Sequence, residues 1–356
     1  MQGSDLLAVA CDLAIIAGTR QAHWRARIEA HGWDRSQVTA KDDPNNLVTA
    51  ADEEIESLVR GYLVRVRPGD VMIGEEGAAA LDLEQVLDES QLAALLPRLR
   101  CTVAAGGEGS ADVAGVAQSP DGADQCAGVD QCAGADRYEW HVDPIDGTVN
   151  FVRGIEYHCF SVGVRRLNGG GGAVADGAGG TRAAATTGGA VSGPVWESAG
   201  WVLGLVACPA LDTVWFAEAP DPAGAGVPAG AWKLPPGGDP VRLHGTPVGR
   251  RGRLAATGFN YSPELRTRQL AELGRIMADF DDVRRLGSAA MDLCLAAEGR
   301  VNAYYERGLG VYDFAGGAVI AEQAGLRVRR PHAYDDYCIA ADTQERFAFI
   351  ESCLQD

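Results

Sequence analysis

The twelve residues WHVDPIDGTVNF, Trp140 to Phe151, constrain this chain more than any other stretch. An apolar run leads straight into two carboxylates, Asp143 and Asp146, with Pro144 between them and Gly147 just after. Pro144 fixes its own φ and holds the residue before it extended. Asp143 is thereby turned one way while Asp146 can reach back toward the same space, and the carbonyl of Ile145 lies between them as a further oxygen. Gly147 lets the backbone approach an anion closely, and the amides of Gly147 and Thr148 can open a helix toward a phosphate. A stiff corner of this kind gathers cations and an anionic group in one place.

Other acidic residues also fall at predicted element boundaries. Residues 50–66, AADEEIESLVRGYLVRV, place Ile55, Leu58, Val59, Tyr62 and Leu63 at helical spacing. Thr49 precedes them as N-cap and Pro68-Gly69 stops them, so Asp52 sits in the first turn. DVMIGEEG predicts a short buried strand that ends at Glu75 and Glu76, and Asp313 opens a predicted helix, DFAGGAVIAEQAG, ended by Gly325. Strand ends beside helix starts are where open α/β layers place ligands. Two unit charges about 4 Å apart repel by roughly 4 kcal/mol at an effective dielectric near 20. Protonation relieves that repulsion, and so does a hard divalent cation; oxygen donors without a His or Cys pair favour Mg²⁺ over zinc. Taken singly, Asp52 is a first-turn acid, Glu75-Glu76 a solvated strand end, Asp313 a helix cap, Glu306 a surface acid, and His141 and His158 packed strand residues. Their joint occurrence is what points to a site.

The remaining pattern predicts mixed α/β packing with partly antiparallel sheets. An amphipathic helix (DLLAVACDLAIIAGTRQAHW) opens the chain; YEWHV and YHCFSVGVRR are strands; GWVLGLVACP and DTVWFAEA form a hairpin-like pair. RLAATGF, DVRRL and VNAYYE are further strands, and SPELRTRQLAELGRIMADF and SAAMDLCLAAEGR are helices. Residues 101–137, 168–194 and 220–240 are rich in Gly, Ala or Pro and predict loops. The expected division is an N-terminal α+β domain over 1–200 carrying most of the acids and a C-terminal α/β domain over 201–356 carrying Asp313.

With 356 residues and 46% hydrophobic composition the chain can bury a large core. Its formal charge of −18 disfavours nonspecific binding to a nucleic-acid polymer or an anionic membrane, and suits a phosphate substrate only where bound cations reverse the local sign. No segment offers the roughly 20 uncharged apolar residues that span a bilayer. The N-terminus lacks the marks of a signal peptide, so a cytoplasmic location is expected. The nine cysteines are dispersed and odd in number, which argues against a disulfide framework. Cys126 and Cys132 fall in the repeat DQCAG-V-DQCAG, read as a surface loop, and lysine occurs only at Lys41 and Lys233.

NLVTAADEEIE, GEEG, WHVDPIDGTVNF and YDFAGG occur in the order found in the inositol monophosphatase family, and GSAAMDLCLAAEGRVNAYYE resembles that family's segment ahead of its last aspartate. The resemblance covers most of the chain outside the three Gly-rich inserts. It implies an αβαβα layered sandwich, Mg²⁺-dependent and lithium-sensitive hydrolysis of small phosphate monoesters with two or three ions per site, and a homodimer whose partner is a small phosphorylated metabolite. By motif position, Glu75 and Asp143 with the carbonyl of Ile145 resemble the ligands of one ion, and Asp143, Asp146 and Asp313 those of a second; Glu75 also reaches toward a third. Thr148 and Asp52 resemble the pair that orients the attacking water, so Asp52, Thr148 and Glu75 are the expected catalytic residues, with Glu76 behind the ligands. Gly147, Thr148, Ala289, Glu306 and Lys41 match positions close to substrate. Tyr312 stands where many relatives carry tryptophan. The resemblance leaves an inositol phosphate, histidinol phosphate, fructose 1,6-bisphosphate, a 3′-phosphoadenosine nucleotide or a specialised biosynthetic cyclitol or nucleoside phosphate open as substrate, with GTVNF closest to the inositol branch. A noncatalytic, metal-binding regulatory protein is the rival reading.

Overall fold

Successive side chains of the strands point to opposite faces and most are buried on both, which fixes the layering. The chain is described by a computed structural model over residues 3–31, 38–40, 47–81, 137–167, 200–220, 229–246 and 251–355. Lys41, Cys126, Cys132, residues 101–136 and the whole 168–194 insert lie outside the described residues. A seven-stranded sheet is formed by β3 (Val71–Gly74), β4 (Arg137–Asp146), β5 (Cys159–Leu167), β6 (Trp201–Cys208), β7 (Thr213–Glu218), β8 (Gly230–Leu234) and β9 (Val241–Arg242), neighbours in that order. β3 runs parallel to β4 and the other pairings are antiparallel. A five-stranded sheet follows, in the order β11 (Asp282–Arg284), β10 (Leu254–Thr257), β12 (Ala303–Arg307), β14 (Tyr337–Ala341) and β13 (Arg327–Arg329). The short strands β1 (Val38–Ala40) and β2 (Leu47–Thr49) pair with each other.

Helices α1 (Gly3–His31) and α2 (Ala50–Val66) cover one face of the first sheet, where Leu13, Ile55 and Leu58 meet Trp140, Val142, Phe160, Val162, Leu203 and Leu205. From the opposite face of that sheet, Cys159, Val206, Trp215 and Ala217 pack on α5 (Ala289–Ala297) and α6 (Val311–Gln323). The other side of this middle helical layer meets Ala256, Tyr304, Cys338 and Ala340 of the second sheet. Their sequence neighbours Ala255, Ala303, Tyr305 and Ile339 face outward onto α4 (Pro263–Ile276) and α7 (Gln344–Leu354), through Ile276, Phe347 and Ile350. Period-two alternation thus feeds three separate cores and gives five layers, αβαβα. A six-residue helix, α3 (Thr148–Arg153), follows the corner after β4.

Three readings need correction. β3 is half exposed and not buried, because it is the edge of its sheet. The 220–240 stretch, read as a loop, contains β8, whose Trp232 stacks on Phe216 at 5.5 Å between ring centroids; β7 would otherwise lack a partner on that side. Arg137 begins β4 and does not close a loop. The six described cysteines are buried and form no disulfide with one another. No helix among the described residues is long and apolar enough to cross a membrane.

The fit of α6 on the first sheet sets where Asp313 stands relative to β4. Gly163 and Gly204 leave room for the helix backbone: a Cβ at Gly163 would lie 2.5 Å from the Cβ of Ala315, and one at Gly204 only 2.3 Å from the carbonyl oxygen of Gly316. Neither obstacle is a flexible side-chain end, so the layers would have to part. Gly204→Ala is therefore expected to destabilise the fold by about 1–3 kcal/mol, the range for overpacking a tight core. Chemical denaturation of the two proteins measures it.

Candidate active site

Pro144 brings no N–H to the β4–β5 ladder, and pairing breaks there: Asp143 faces Ser161, while Asp146, three residues on, faces Cys159. The resulting bulge is braced from both sides. Gln21 of α1 donates to the Pro144 carbonyl at 2.8 Å, and the Ile145 N–H donates to Asp143 Oδ1 at 2.9 Å. Gly147 then adopts φ 93°, a conformation that disfavours side chains, and the chain enters α3 at Thr148. The Thr148 hydroxyl lies 3.1 Å from the Ile145 carbonyl and 3.3 Å from Asp52 Oδ1.

Asp52 is buried in a capping box at the start of α2. Its Oδ2 accepts from the Thr49 N–H at 2.9 Å and from the Thr49 hydroxyl. One turn further on, buried Glu56 accepts the N–H groups of Glu76 at 2.7 Å and Ala78 at 2.9 Å, which pins the turn that carries Glu75 and Glu76. Asp146 rests on the first turn of α5: its Oδ2 accepts from Ser288 Oγ at 2.7 Å and from the Ala290 N–H at 2.7 Å, and its Oδ1 from the Ala289 N–H at 3.3 Å. Asp313 caps α6, accepting the Gly310 N–H at 2.6 Å.

These acids act on one another. Burial raises the Asp143 pKa well above the carboxylate range, and the negative charges of Glu75, Asp146, Asp313 and Asp52 push it further. Burial likewise raises Asp313, with Glu75 and Asp146 adding to the effect. Asp52 is pushed up to about 8 by burial, partly offset by its bond from Thr49, with Glu75 and Glu76 adding to the rise. Asp146 reaches about 6, since its bonds from Ser288, Ala290 and Ala289 counter part of the burial effect. The donors around this space, four carboxylates and the Ile145 carbonyl, are all oxygens, as a hard cation such as Mg²⁺ requires. Their donor chemistry fits the ion. Among the described residues, however, no three acidic, His or Cys side chains stand together as a ready metal-binding group.

A second set of groups flanks the Asp146 side. Glu306 lies so close to Gly258 that a Cβ there would meet its Oε1 at 2.1 Å; it accepts from the Tyr304 hydroxyl at 2.9 Å and is pushed up to about 7, chiefly by burial. Buried Asp292 accepts from the Tyr157 hydroxyl at 2.8 Å. The charge of Arg285 acts on Glu306, Asp292 and Tyr261.

The charges of Glu75, Asp146, Asp313 and Asp52 thus reach Asp143, that of Glu76 reaches Asp52, Thr148 meets Asp52 and the Ile145 carbonyl, Gly147 carries the turn into α3, Ala289 donates its N–H to Asp146, and Glu306 feels the charge of Asp146. His141 and His158 are interior packing residues: His141 lies against Trp201 and 3.1 Å from Glu139, and His158 meets Phe151 edge-on, its pKa lowered to about 4 by burial. Sequence reasoning missed Ser288, Tyr157, Asp292, Tyr261 and Arg285. Ser288 had a local signal, a serine directly before an apolar helical run. The other four had none.

The inositol monophosphatase family model matches residues 3–347. The curated inositol-1-monophosphatase SuhB of Mycobacterium tuberculosis is 32% identical over 295 residues, which cover 82% of this chain and 71% of that protein. A Haemophilus influenzae protein named Nus factor SuhB is 30% identical over 189 residues, covering 52% of this chain and 54% of its own. The solved structure of Mycobacterium tuberculosis SuhB superposes with a TM-score of 0.60 at 26% identity, covering 99% of each chain. An inositol monophosphatase structure from Thermotoga maritima, at 18% identity and a TM-score of 0.58, shares the fold, covering 99% of this chain and 98% of that one. With the match running almost end to end, the chain belongs to the inositol monophosphatase family.

Proposed function

We propose that this protein hydrolyses a small phosphate monoester with Mg²⁺ as cofactor, and that the alcohol released is a cyclitol or related polyol. The observation that carries this reading is the hydroxyl of Thr148, held between Asp52 Oδ1 and the Ile145 carbonyl at the edge of the repelling carboxylates. Family membership supports it.

Glu75, Asp143, Asp146 and Asp313, with the Ile145 carbonyl, would hold the cations. When bound, Mg²⁺ would supply the charge that offsets these acids, polarise the phosphoryl oxygens and lower the pKa of the attacking water. The protein's own groups do the rest. Thr148 has one proton and two acceptors, so when it donates to either, its lone pairs remain to orient a water. Asp52, buried behind Thr148, takes or returns that hydroxyl's proton at Oδ1. The N–H groups of Gly147 and Thr148, at the start of α3, receive the phosphoryl oxygens. Glu306 accepts from a hydroxyl of the alcohol part, and Ala289 lines the phosphate side. No acyl or phosphoryl nucleophile is required of the chain. The Haemophilus relative's name keeps a nonenzymatic role in view; the presence of Thr148 and Asp52 alongside the cation ligands favours turnover.

Phosphate release from inositol 1-phosphate, with and without Mg²⁺, tests the proposal. Asp146→Asn is expected to abolish Mg²⁺-dependent release with the circular dichroism spectrum retained, and Thr148→Ala to lower kcat by about 10²–10⁴, the range for a lost proton-handling group. Normal turnover in either would overturn the assignment. A second outcome concerns stability. Asp52 at about 8 and Asp146 at about 6 both lie above their ordinary 3.8, and Asp143 and Asp313 are raised as well. Below pH 4 these groups are protonated folded or unfolded and cost nothing. As pH rises, the unfolded chain releases protons that the folded one retains, so cation-free stability falls between about pH 4 and 8. Mg²⁺ is expected to raise Tm more at pH 8 than at pH 5; where it is a hundredfold above Kd, its stabilisation is about 2.7 kcal/mol. Thermal melts at the two pH values check the sign.

A further inference from the structure

The turn that carries Glu75 and Glu76 follows the edge strand of the first sheet. β3 pairs with β4 alone, and that ladder ends at Gly74 against Val142. Past Gly74 the backbone turns to α2 for hydrogen bonds. The Glu56 carboxylate takes the Glu76 N–H on Oε2 at 2.7 Å and the Ala78 N–H on Oε1 at 2.9 Å, and the Leu81 N–H reaches the Ser57 carbonyl at 2.9 Å. The two amides on Glu56 lie either side of Gly77, whose φ of 64° folds them toward one acceptor. Glu56 is itself held. Arg60 Nη2 donates to its Oε1 at 2.8 Å while Arg60 Nη1 donates to the Met72 carbonyl at 3.1 Å, so one arginine ties the helix to the edge strand. A Cβ at Gly74 would lie 2.3 Å from the Glu56 carboxyl carbon, and 2.4 and 2.5 Å from its oxygens. The strand end therefore passes directly over the carboxylate and buries it.

A buried carboxylate is costly unless its lone pairs are used. Three donors engage those of Glu56, which makes it an anchor for backbone and not a cation ligand. One turn earlier on the same helix, Asp52 Oδ1 meets the Thr148 hydroxyl at 3.3 Å. From two positions four residues apart, α2 fixes both the partner of Thr148 and the turn that carries Glu75.

We propose that Glu56 is a positioning residue: it holds Glu75 in place relative to Asp52 and Thr148 before any cation binds, and the affinity for the cation depends on it. This rests on the phosphatase reading. Glutamine has the shape of glutamate but offers one acceptor and an NH₂ group, which would face a backbone N–H. Aspartate keeps the charge beside Arg60 and withdraws the carboxylate by one methylene from both amides. Glu56→Gln and Glu56→Asp are each expected to bind Mg²⁺ about 10–100-fold more weakly than wild type in calorimetry without substrate, the range for lost support behind a metal ligand. On inositol 1-phosphate, kcat should recover as Mg²⁺ is raised, whereas a merely structural loss would be the same at every Mg²⁺ concentration. Glu54, on the same helix, instead takes Arg20 at 2.6 Å and Trp24 Nε1 at 2.9 Å, both from α1. Glu54→Gln removes the same charge and should keep the wild-type affinity for Mg²⁺. Wild-type affinity in either Glu56 variant, or an equal loss in Glu54→Gln, would overturn the proposal. Amide exchange in cation-free wild type tests it without any variant: the Glu76 and Ala78 amides should be protected, and exchange as fast as in an open chain would also overturn it. Should wild type bind Mg²⁺ yet release no phosphate, the phosphatase reading fails and the binding comparison still decides the role of Glu56. A wild type that binds no Mg²⁺ ends both.

Discussion

Three of the buried or half-buried acids at this site are held on helix N-termini, and the rest of the architecture depends on that arrangement. Asp52 lies in the capping box of α2, Asp146 accepts from the first turn of α5, and Asp313 caps α6. A carboxylate taken out of water loses its hydration, and each like charge nearby adds to the cost. Backbone N–H groups at a helix start return part of that loss, and the helix dipole contributes in the same direction. The effect is visible at Asp146, where bonds from Ser288, Ala290 and Ala289 hold down a pKa that burial drives up. A chain can afford a concentrated acidic site only where several helices begin.

That requirement explains why the site draws on more than one layer. α2 belongs to the outer helical layer, while α5 and α6 lie between the sheets. Their N-termini meet only if the middle layer seats closely on the first sheet. Gly163 and Gly204 permit this, because each removes the Cβ that would strike α6. The bulge after Asp143 then turns the end of β4 toward the same space, with Gln21 of α1 bracing the Pro144 carbonyl. Packing far from the acids therefore sets the distances among them.

Parts of this were legible because their causes are local. Thr49 and Asp52 form a capping box within three residues, and the Asp143–Gly147 corner follows from the preferences of proline and glycine. The helices that begin after Ser262 and Ser288 carry their own caps. What escaped has nonlocal causes. The bond from Ser288 to Asp146 spans 142 positions, and that from Tyr157 to Asp292 spans 135. β8 hides in a run of Pro and Gly because its strand character comes from pairing with β7 and from Trp232 stacking on Phe216. Arg285 gives no sign of itself in sequence, since its place depends on how the chain turns over Gly287.

The acids divide into two sets with different compensation. Glu306 and Asp292 meet phenol hydroxyls from Tyr304 and Tyr157, and the charge of Arg285 favours the ionised form of each. Around Asp143, by contrast, the charges that act most strongly are all negative. Tyr312, on the same side, feels Asp313, Glu75, Asp143 and Glu76, and its phenol is held firmly protonated. On the flanking side the protein supplies its own balance and can meet a neutral, hydroxylated group. On the Asp143 side the donors stabilise one carboxylate at a time, and among the described residues the charges that act most on Asp143 are all negative; under the proposed function a bound ion supplies the balance there. Under the proposed function, a division of this kind puts the ester bond at the boundary between the two sets, with the phosphoryl group toward Asp143 and the alcohol toward Glu306.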